Sequence, residues 1–163
     1  MLSPSGERKP RVFLRTPFNE TAPQFSPDGR WLAYASDESG RNEIYVQPFP
    51  GPGRKWQVST DGGEEPVWAR NGELFYRNGN QMMAVETKTQ PTFSAGTPQL
   101  LFEGSGRSSF RRVTAGPFNA NYDVAADAQR FVMVKTAETG TAPGQIQVVL
   151  NWFEELKQKV PVK

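Results

Sequence analysis

The sequence predicts an all-β fold, a β-propeller with three four-stranded blades in one chain. The first observation is composition: of 163 residues, 15 are Gly and 14 are Pro, aromatic residues make up 12%, and hydrophobic residues only 36%. Such a mixture is typical of short strands joined by turns rather than of a helical bundle. The second observation is a repeat of 43 residues, the spacing from Phe25 to Trp68. Propeller blades repeat every ~40–45 residues.

The repeat is clearest where PQFSPDGRWLAY (Pro23–Tyr34) is compared with PVWARNGELFY (Pro66–Tyr76). Asp28-Gly29 in the first copy corresponds to Asn71-Gly72 in the second. Both pairs predict hairpin turns, because Gly tolerates positive φ and Asp or Asn bonds its own backbone. A weaker third copy is YDVAADAQRFVMV (Tyr122–Val134), which begins after a longer interval and therefore predicts an insertion.

These repeats define the predicted elements in chain order. The chain opens with an orphan outer strand over 11–16, RVFLRT. Blade one spans 20–60, with strands over 21–26, 31–36, 43–47 and 55–59. Blade two spans 61–103, with strands over 65–69, 73–77, 81–86 and 99–103. An insertion loop over 104–121 follows. Blade three spans 122–151, with strands over 122–126, 130–135 and 145–151. A C-terminal helix over 152–160 ends the chain, because its apolar residues have helical spacing.

The strand count leaves blade three without its outer strand, while the orphan strand over 11–16 has no blade. Three blades are also fewer than the ~4–8 of known propellers. We therefore expect a homodimer that closes a six-bladed ring, in which each chain adds residues 11–16 to blade three of the other. The alternative is that the chain is a fragment of a longer propeller.

Residues at inward strand positions are predicted to form the core between blades. They are Phe25, Trp31, Tyr34, Trp56, Trp68, Phe75, Phe131 and Val148.

Two absent residue types limit the chemistry. The chain has no Cys and no His. Disulfides, thiolate chemistry, a Ser-His-Asp relay and an ordinary zinc site are therefore excluded. The net charge of +2 predicts no nucleic-acid partner and no membrane surface as partner. No apolar run approaches the ~18 residues of a membrane helix. The first ten residues also lack the apolar stretch of a secretion signal. The compartment stays open.

The segment FSPDGRWLAYASDESGRNEIYV, from Phe25 to Val46, resembles the repeat of TolB-like propellers. The end of the chain, IQVVLNWFEELKQKVP (Ile146–Pro161), resembles the terminus of TolB-like propellers attached to bacterial serine/threonine kinases and related sensors. The third copy departs from the pattern, because Ala126-Asp127-Ala128 replaces Pro-Asp-Gly. No kinase motif is present. The resemblance implies a propeller used for sensing or protein binding, in a family that is often extracytoplasmic.

The loops that precede each first strand supply the candidate binding residues, because such loops surround one mouth of a propeller channel. These residues are Asn19, Glu20, Glu64, Glu65, Asn121, Tyr122 and Asp123. Doubled in a dimer, they predict an acidic rim suited to a basic peptide, or to Ca²⁺ or Mg²⁺ through oxygen ligands. A solvated rim without a ligand is the alternative.

The insertion carries a second candidate site. Arg107, Arg111 and Arg112 surround Phe110, and Arg favours bidentate pairing with carboxylate or phosphate. We expect this loop to contact an acidic partner or the acidic rim of the other subunit, unless it is only solvated.

The sequence thus predicts a non-catalytic binding or assembly module without a cofactor. An enzyme that hydrolyses its substrate with carboxylates and a divalent cation at the channel mouth is the alternative. A third hypothesis is that the chain folds but has no further function.

Overall fold

The computed structural model describes residues 12–51, 53–104, 120–134 and 146–149. These residues form antiparallel β-structure, which confirms the all-β prediction. The strands are β1 Glu20–Phe25, β2 Trp31–Ser36, β3 Glu43–Pro48, β4 Trp56–Gln57, β5 Glu64–Trp68, β6 Leu74–Asn78, β7 Gln81–Val85, β8 Thr87–Lys88, β9 Ser94–Ala95, β10 Gln99–Glu103, β11 Tyr122–Val124, β12 Phe131–Val134 and β13 Ile146–Val149. Within the described residues no helix is long and apolar enough to cross a bilayer.

The strands form three main sheets that follow one another along the chain. The first sheet has the order β1-β2-β3-β4, the second β5-β6-β7-β10, and the third β11-β12-β13. The strands predicted for the three blades are present, with shifts at their ends, and the one predicted over 55–59 is reduced to Trp56–Gln57. The short hairpin of β8 and β9 was not predicted; it lies between β7 and β10 of the second sheet.

The first hairpin turn of each of the three sheets has the same geometry. In each turn an Asp or Asn side-chain oxygen accepts a hydrogen bond from the backbone N–H two residues later: Asp28 from Arg30, Asn71 from Glu73, and Asp127 from Gln129. The residue after the Asp or Asn has positive φ, namely Gly29 at 68°, Gly72 at 93° and Ala128 at 58°. The third copy therefore keeps the turn, and Ala128 adopts a backbone conformation that Gly adopts more easily.

The core lies between consecutive sheets. One face of the first sheet packs on the second through Trp31, Ala33, Ile44 and Val46 against Leu74, Tyr76 and Val85. The opposite face of the second sheet packs on the third through Val67, Phe75, Met82 and Ala84 against Tyr122, Phe131 and Met133. Since side chains alternate along a strand, the second sheet is apolar on both faces and buries both.

Phe93 joins the first and second sheets from the side. It stands just before β9 and is only 3% exposed. Its ring lies 5.2 Å from that of Trp31, 5.4 Å from that of Trp56 and 6.5 Å from that of Trp68. The β8–β9 hairpin therefore inserts one aromatic side chain into the gap between two sheets, and Trp56 belongs to the core as predicted.

One predicted core residue is misplaced. Phe25 is 51% exposed, because it pairs with Leu32 and so lies on the face of the first sheet away from the second. The register of β1 shifts between Thr21 and Gln24, which the repeat comparison did not reveal. Tyr34 is buried as predicted, but on this same outer face. The side chain of Val148 lies outside the described residues.

The predicted orphan strand is also not formed within this chain. Residues 12–16 belong to no strand, and the ring of Phe13 packs against that of Phe49 at 5.2 Å. The pairing of this segment with a second copy stays a prediction. The helix predicted over 152–160 and most of the insertion over 104–121 lie outside the described residues.

Replacing Phe93 tests its role between the sheets. We expect Phe93→Ala to lower the free energy of unfolding by about 3 kcal/mol, because it leaves a cavity among three indole rings. Leu100→Ala is the control, since Leu100 is 48% exposed, and should cost less than about 1 kcal/mol. Urea denaturation followed by tryptophan fluorescence measures both. Equal effects of the two substitutions would show that Phe93 is not a core residue.

Candidate functional site

The residues predicted to form the rim are placed by the loops that lead into β1, β5 and β11. We call these residues 16–19, 60–63 and 120–121 the lead-in loops. Each loop is held by a carboxylate that accepts a hydrogen bond from a backbone N–H. Asp37 accepts from Asn19 at 2.9 Å, Glu43 from Gly62 at 3.0 Å, and Glu65 from Asn121 at 3.1 Å.

Glu65 is the most enclosed of the predicted rim residues. It is 2% exposed, and its carboxylate contacts Arg77 Nη1 at 3.4 Å. It also accepts from the Asn121 side-chain amide at 3.1 Å. Its backbone oxygen accepts from the Tyr122 hydroxyl at 2.8 Å. The prediction that Glu65 offers a ligand to solvent is therefore wrong; it joins the second sheet to the third.

A shared backbone irregularity explains the position of Glu65. Its φ is 54°, and Ala22, 43 residues earlier, has φ of 49°. The register of β5 shifts between Glu64 and Val67, as that of β1 does between Thr21 and Gln24. The repeat thus conserves a bulge in the inner strand of both sheets.

Tyr122 is likewise a structural residue. It is 6% exposed. Burial, followed by the nearby Glu65 carboxylate, raises the pKa of its phenol well above the ordinary value. The hydroxyl therefore stays protonated and donates to the Glu65 carbonyl throughout the neutral range.

The other predicted rim carboxylates each have a different hydrogen-bond partner. The Glu64 carboxylate accepts from Asn42 Nδ2 at 3.0 Å, and that of Glu20 accepts from the Thr16 hydroxyl. Asp123 is exposed and accepts from the Val124 N–H at 2.8 Å. Among the described residues no three acidic groups are arranged to hold a metal ion. Binding of Ca²⁺ or Mg²⁺ stays a prediction.

Two carboxylates that matter here were not predicted as site residues. Glu43 is 1% exposed and, besides Gly62, accepts from Arg41 Nε at 2.7 Å and from the Ser59 hydroxyl. Asp37 accepts from both the backbone and the side-chain amide of Asn19, and these bonds lower the pKa of its carboxyl. The sequence feature that could have identified Glu43 is a charged residue at the start of an apolar strand, in the segment NEIYV.

The outer face of the first sheet carries a second candidate site. Residues 12–14 lie over this face and leave a cavity of about 450 Å³, which we call the first-sheet cavity. Its lining is mainly apolar: Val12, Phe13, Leu14, Phe25, Leu32 and Phe49. The ring of Phe49 touches that of Phe25 at 4.7 Å, edge to face.

Three polar residues, Glu20, Thr21 and Tyr34, lie at this cavity. Burial, then the carboxylates of Glu38 and Glu20, raise the pKa of Tyr34. Glu38 is paired with Lys55, so Glu20 is the acid that gives this apolar surface a negative end. The sequence did not predict this cavity, because Phe25 was assigned to the core.

The second predicted site, on the insertion, cannot be placed. Arg107, Phe110, Arg111 and Arg112 lie outside the described residues.

The chain is similar to the crystal structure of TolB from Acinetobacter baumannii. The TM-score is 0.44 and the sequence identity is 16%, and the match covers 88% of this chain and 44% of that one. It thus spans less than half the length of that protein. No family model and no curated protein matches the chain.

The link through Glu65 predicts the effect of its removal. Glu65→Ala should lower the free energy of unfolding by about 3 kcal/mol, because it leaves the buried guanidinium of Arg77 without its partner. Glu64→Ala is the matched control, since its half-buried carboxylate accepts one bond from Asn42 and should cost about 1 kcal/mol. Chemical denaturation of both variants measures the difference. A loss at Glu65 no greater than at Glu64 would contradict the assignment.

Proposed function

We propose that the chain is a non-catalytic binding and assembly module of TolB-like propeller type, which self-associates through its open sheet faces. In this proposal each sheet is a propeller blade, and two chains form a homodimer with a ring of six blades. The carrying observation is that, among the described residues, the middle sheet packs against another sheet on both faces, whereas the first and third sheets each pack against one.

The open faces carry exposed apolar side chains. On the first sheet Phe25 is 51% exposed, and on the third Val132 is 44% exposed. Val132 pairs with Asp123, on the face opposite Phe131 and Met133. Burying apolar surface contributes about 25 cal/mol per Å², so covering both faces favours association. The contact joins the first sheet of one chain to the third of the other, and a two-fold rotation produces it twice.

A strand exchange would complete the ring. In the described residues the third sheet has three strands, whereas the first and second have four. We propose that residues 11–16 of each chain add to the third sheet of the other. In support, residues 12–16 form no strand within their own chain and lie on the open face of the first sheet.

The binding function would use the lead-in loops and the first residues of the strands that follow them, where Asn19, Glu20, Glu64 and Asp123 remain accessible in part. A basic protein segment or peptide suits such an acidic surface. Glu65 and Tyr122 would support it from below rather than contact the ligand.

Self-association is tested by the mass in solution. We expect light scattering to give twice the chain mass of 18.2 kDa. Phe25→Asp and Val132→Asp should each produce monomer, because a charge would be buried at the interface. Leu100→Asp is the control, since Leu100 is equally exposed but lies on the second sheet, and it should leave the dimer intact. A monomeric wild-type chain, or dimeric charged variants, would refute the proposal.

The hydrolase alternative differs in its need for a cation. A cation at one hundred times its dissociation constant would stabilise the fold by about 2.7 kcal/mol. We expect no rise in Tm with Ca²⁺ or Mg²⁺ relative to chelator. A rise that Glu20→Gln or Glu64→Gln abolishes would favour the hydrolase over a cation-free module.

A further inference from the structure

The first-sheet cavity combines an apolar surface with a single carboxylate. Phe13, Phe25 and Phe49 supply three aromatic rings, and Glu20 is the one carboxylate among the described lining residues. Glu20 accepts a bond from Thr16 and forms no ion pair within the described part of the chain. A complementary occupant therefore carries an aromatic or aliphatic group close to a positive charge.

The chain itself contains such a segment. In the stretch RSSFRRV, Phe110 is followed by two arginines and preceded by a third. Arg pairs with carboxylate in a planar, bidentate geometry that Lys does not reproduce. The cavity volume of about 450 Å³ falls within the range of pockets that hold small ligands, so a phenyl ring fits it.

We propose that the segment 107–112 of a second copy docks in the first-sheet cavity, with the Phe110 ring among the apolar side chains and an arginine on Glu20. This inference rests on the proposed self-association. In the proposed ring the third sheet of one copy lies beside the first sheet of the other, and the segment precedes that third sheet in the chain. The insertion ends at Asn121, whose N–H bonds to Glu65 and which leads directly into β11 of the third sheet. In the proposed ring that sheet faces the first sheet of the other copy.

The geometry of an extended segment selects the arginine. Side chains two residues apart point to the same side of an extended chain, and neighbours point to opposite sides. We propose that the docked segment is extended, so that Arg112 would project on the same side as Phe110, toward Glu20. Arg111 points away from it. The two adjacent arginines are therefore a matched pair for an experiment.

The experiment measures the dimer dissociation constant of full-length variants by analytical ultracentrifugation. We expect Phe110→Ala and Arg112→Glu each to raise the dimer dissociation constant about tenfold or more. For Arg112→Glu, a tenfold change is about the contribution of one charge-assisted hydrogen bond. Arg111→Glu, which makes the same change in charge, should weaken it less than about threefold. Combining Glu20→Arg with Arg112→Glu should recover most of the loss. Far-UV circular dichroism checks that each variant is folded.

Equal effects of Arg111→Glu and Arg112→Glu would overturn the inference, since only overall charge would then matter. Unchanged dimers of both Phe110→Ala and Arg112→Glu would also overturn it, while leaving the proposed ring intact. A monomeric wild-type chain refutes the ring. The docking is then tested separately with a labelled peptide of residues 105–116: binding that Glu20→Gln weakens supports the cavity as its site, and no binding overturns the docking as well.

Discussion

The burial of sheet faces is the constraint on which the rest of this structure depends. A sheet with apolar residues on both faces needs a neighbour on each side. The second sheet has two neighbours, and its central residues, such as Phe75 and Leu74, are at most 1% exposed. The first and third sheets each have one neighbour among the described residues. The proposed self-association would meet, for the first and third sheets, the same physical requirement that holds the chain together.

A second regularity is the use of carboxylates to fix the lead-in loops. Asp37, Glu43 and Glu65 come from different strand positions, yet each accepts a bond from the backbone N–H of a loop. A buried N–H without an acceptor is costly, and a carboxylate is a strong acceptor. Glu43 and Glu65 thus connect one sheet to the loop that leads into the next, and Asp37 fixes the loop that leads into the first sheet.

The sequence predicted the local features and missed the tertiary ones. The turns at Asp28-Gly29 and Asn71-Gly72 were identified correctly because their geometry depends on residues next to one another. The outward position of Phe25 and the burial of Glu65 were not, because both follow from bulges that no local pattern marks. Phe93 was also missed, since its burial depends on indole rings far away in the chain. The predictions for the insertion and the C-terminal helix stay untested by the described residues.

The two candidate surfaces differ in what binding would cost. A cation or peptide on the lead-in loops would have to compete for carboxylate oxygens that already accept bonds from Asn19, Asn42 or Thr16. On the open face of the first sheet, Phe25 and Val12 are exposed, and covering these two apolar side chains breaks no hydrogen bond of their own; only a contact with Glu20 would compete with its bond from Thr16. Apolar burial is favourable without any loss of this kind. The open face is therefore the surface from which binding gains most, and Glu20 at its edge supplies the polar group that sets the orientation.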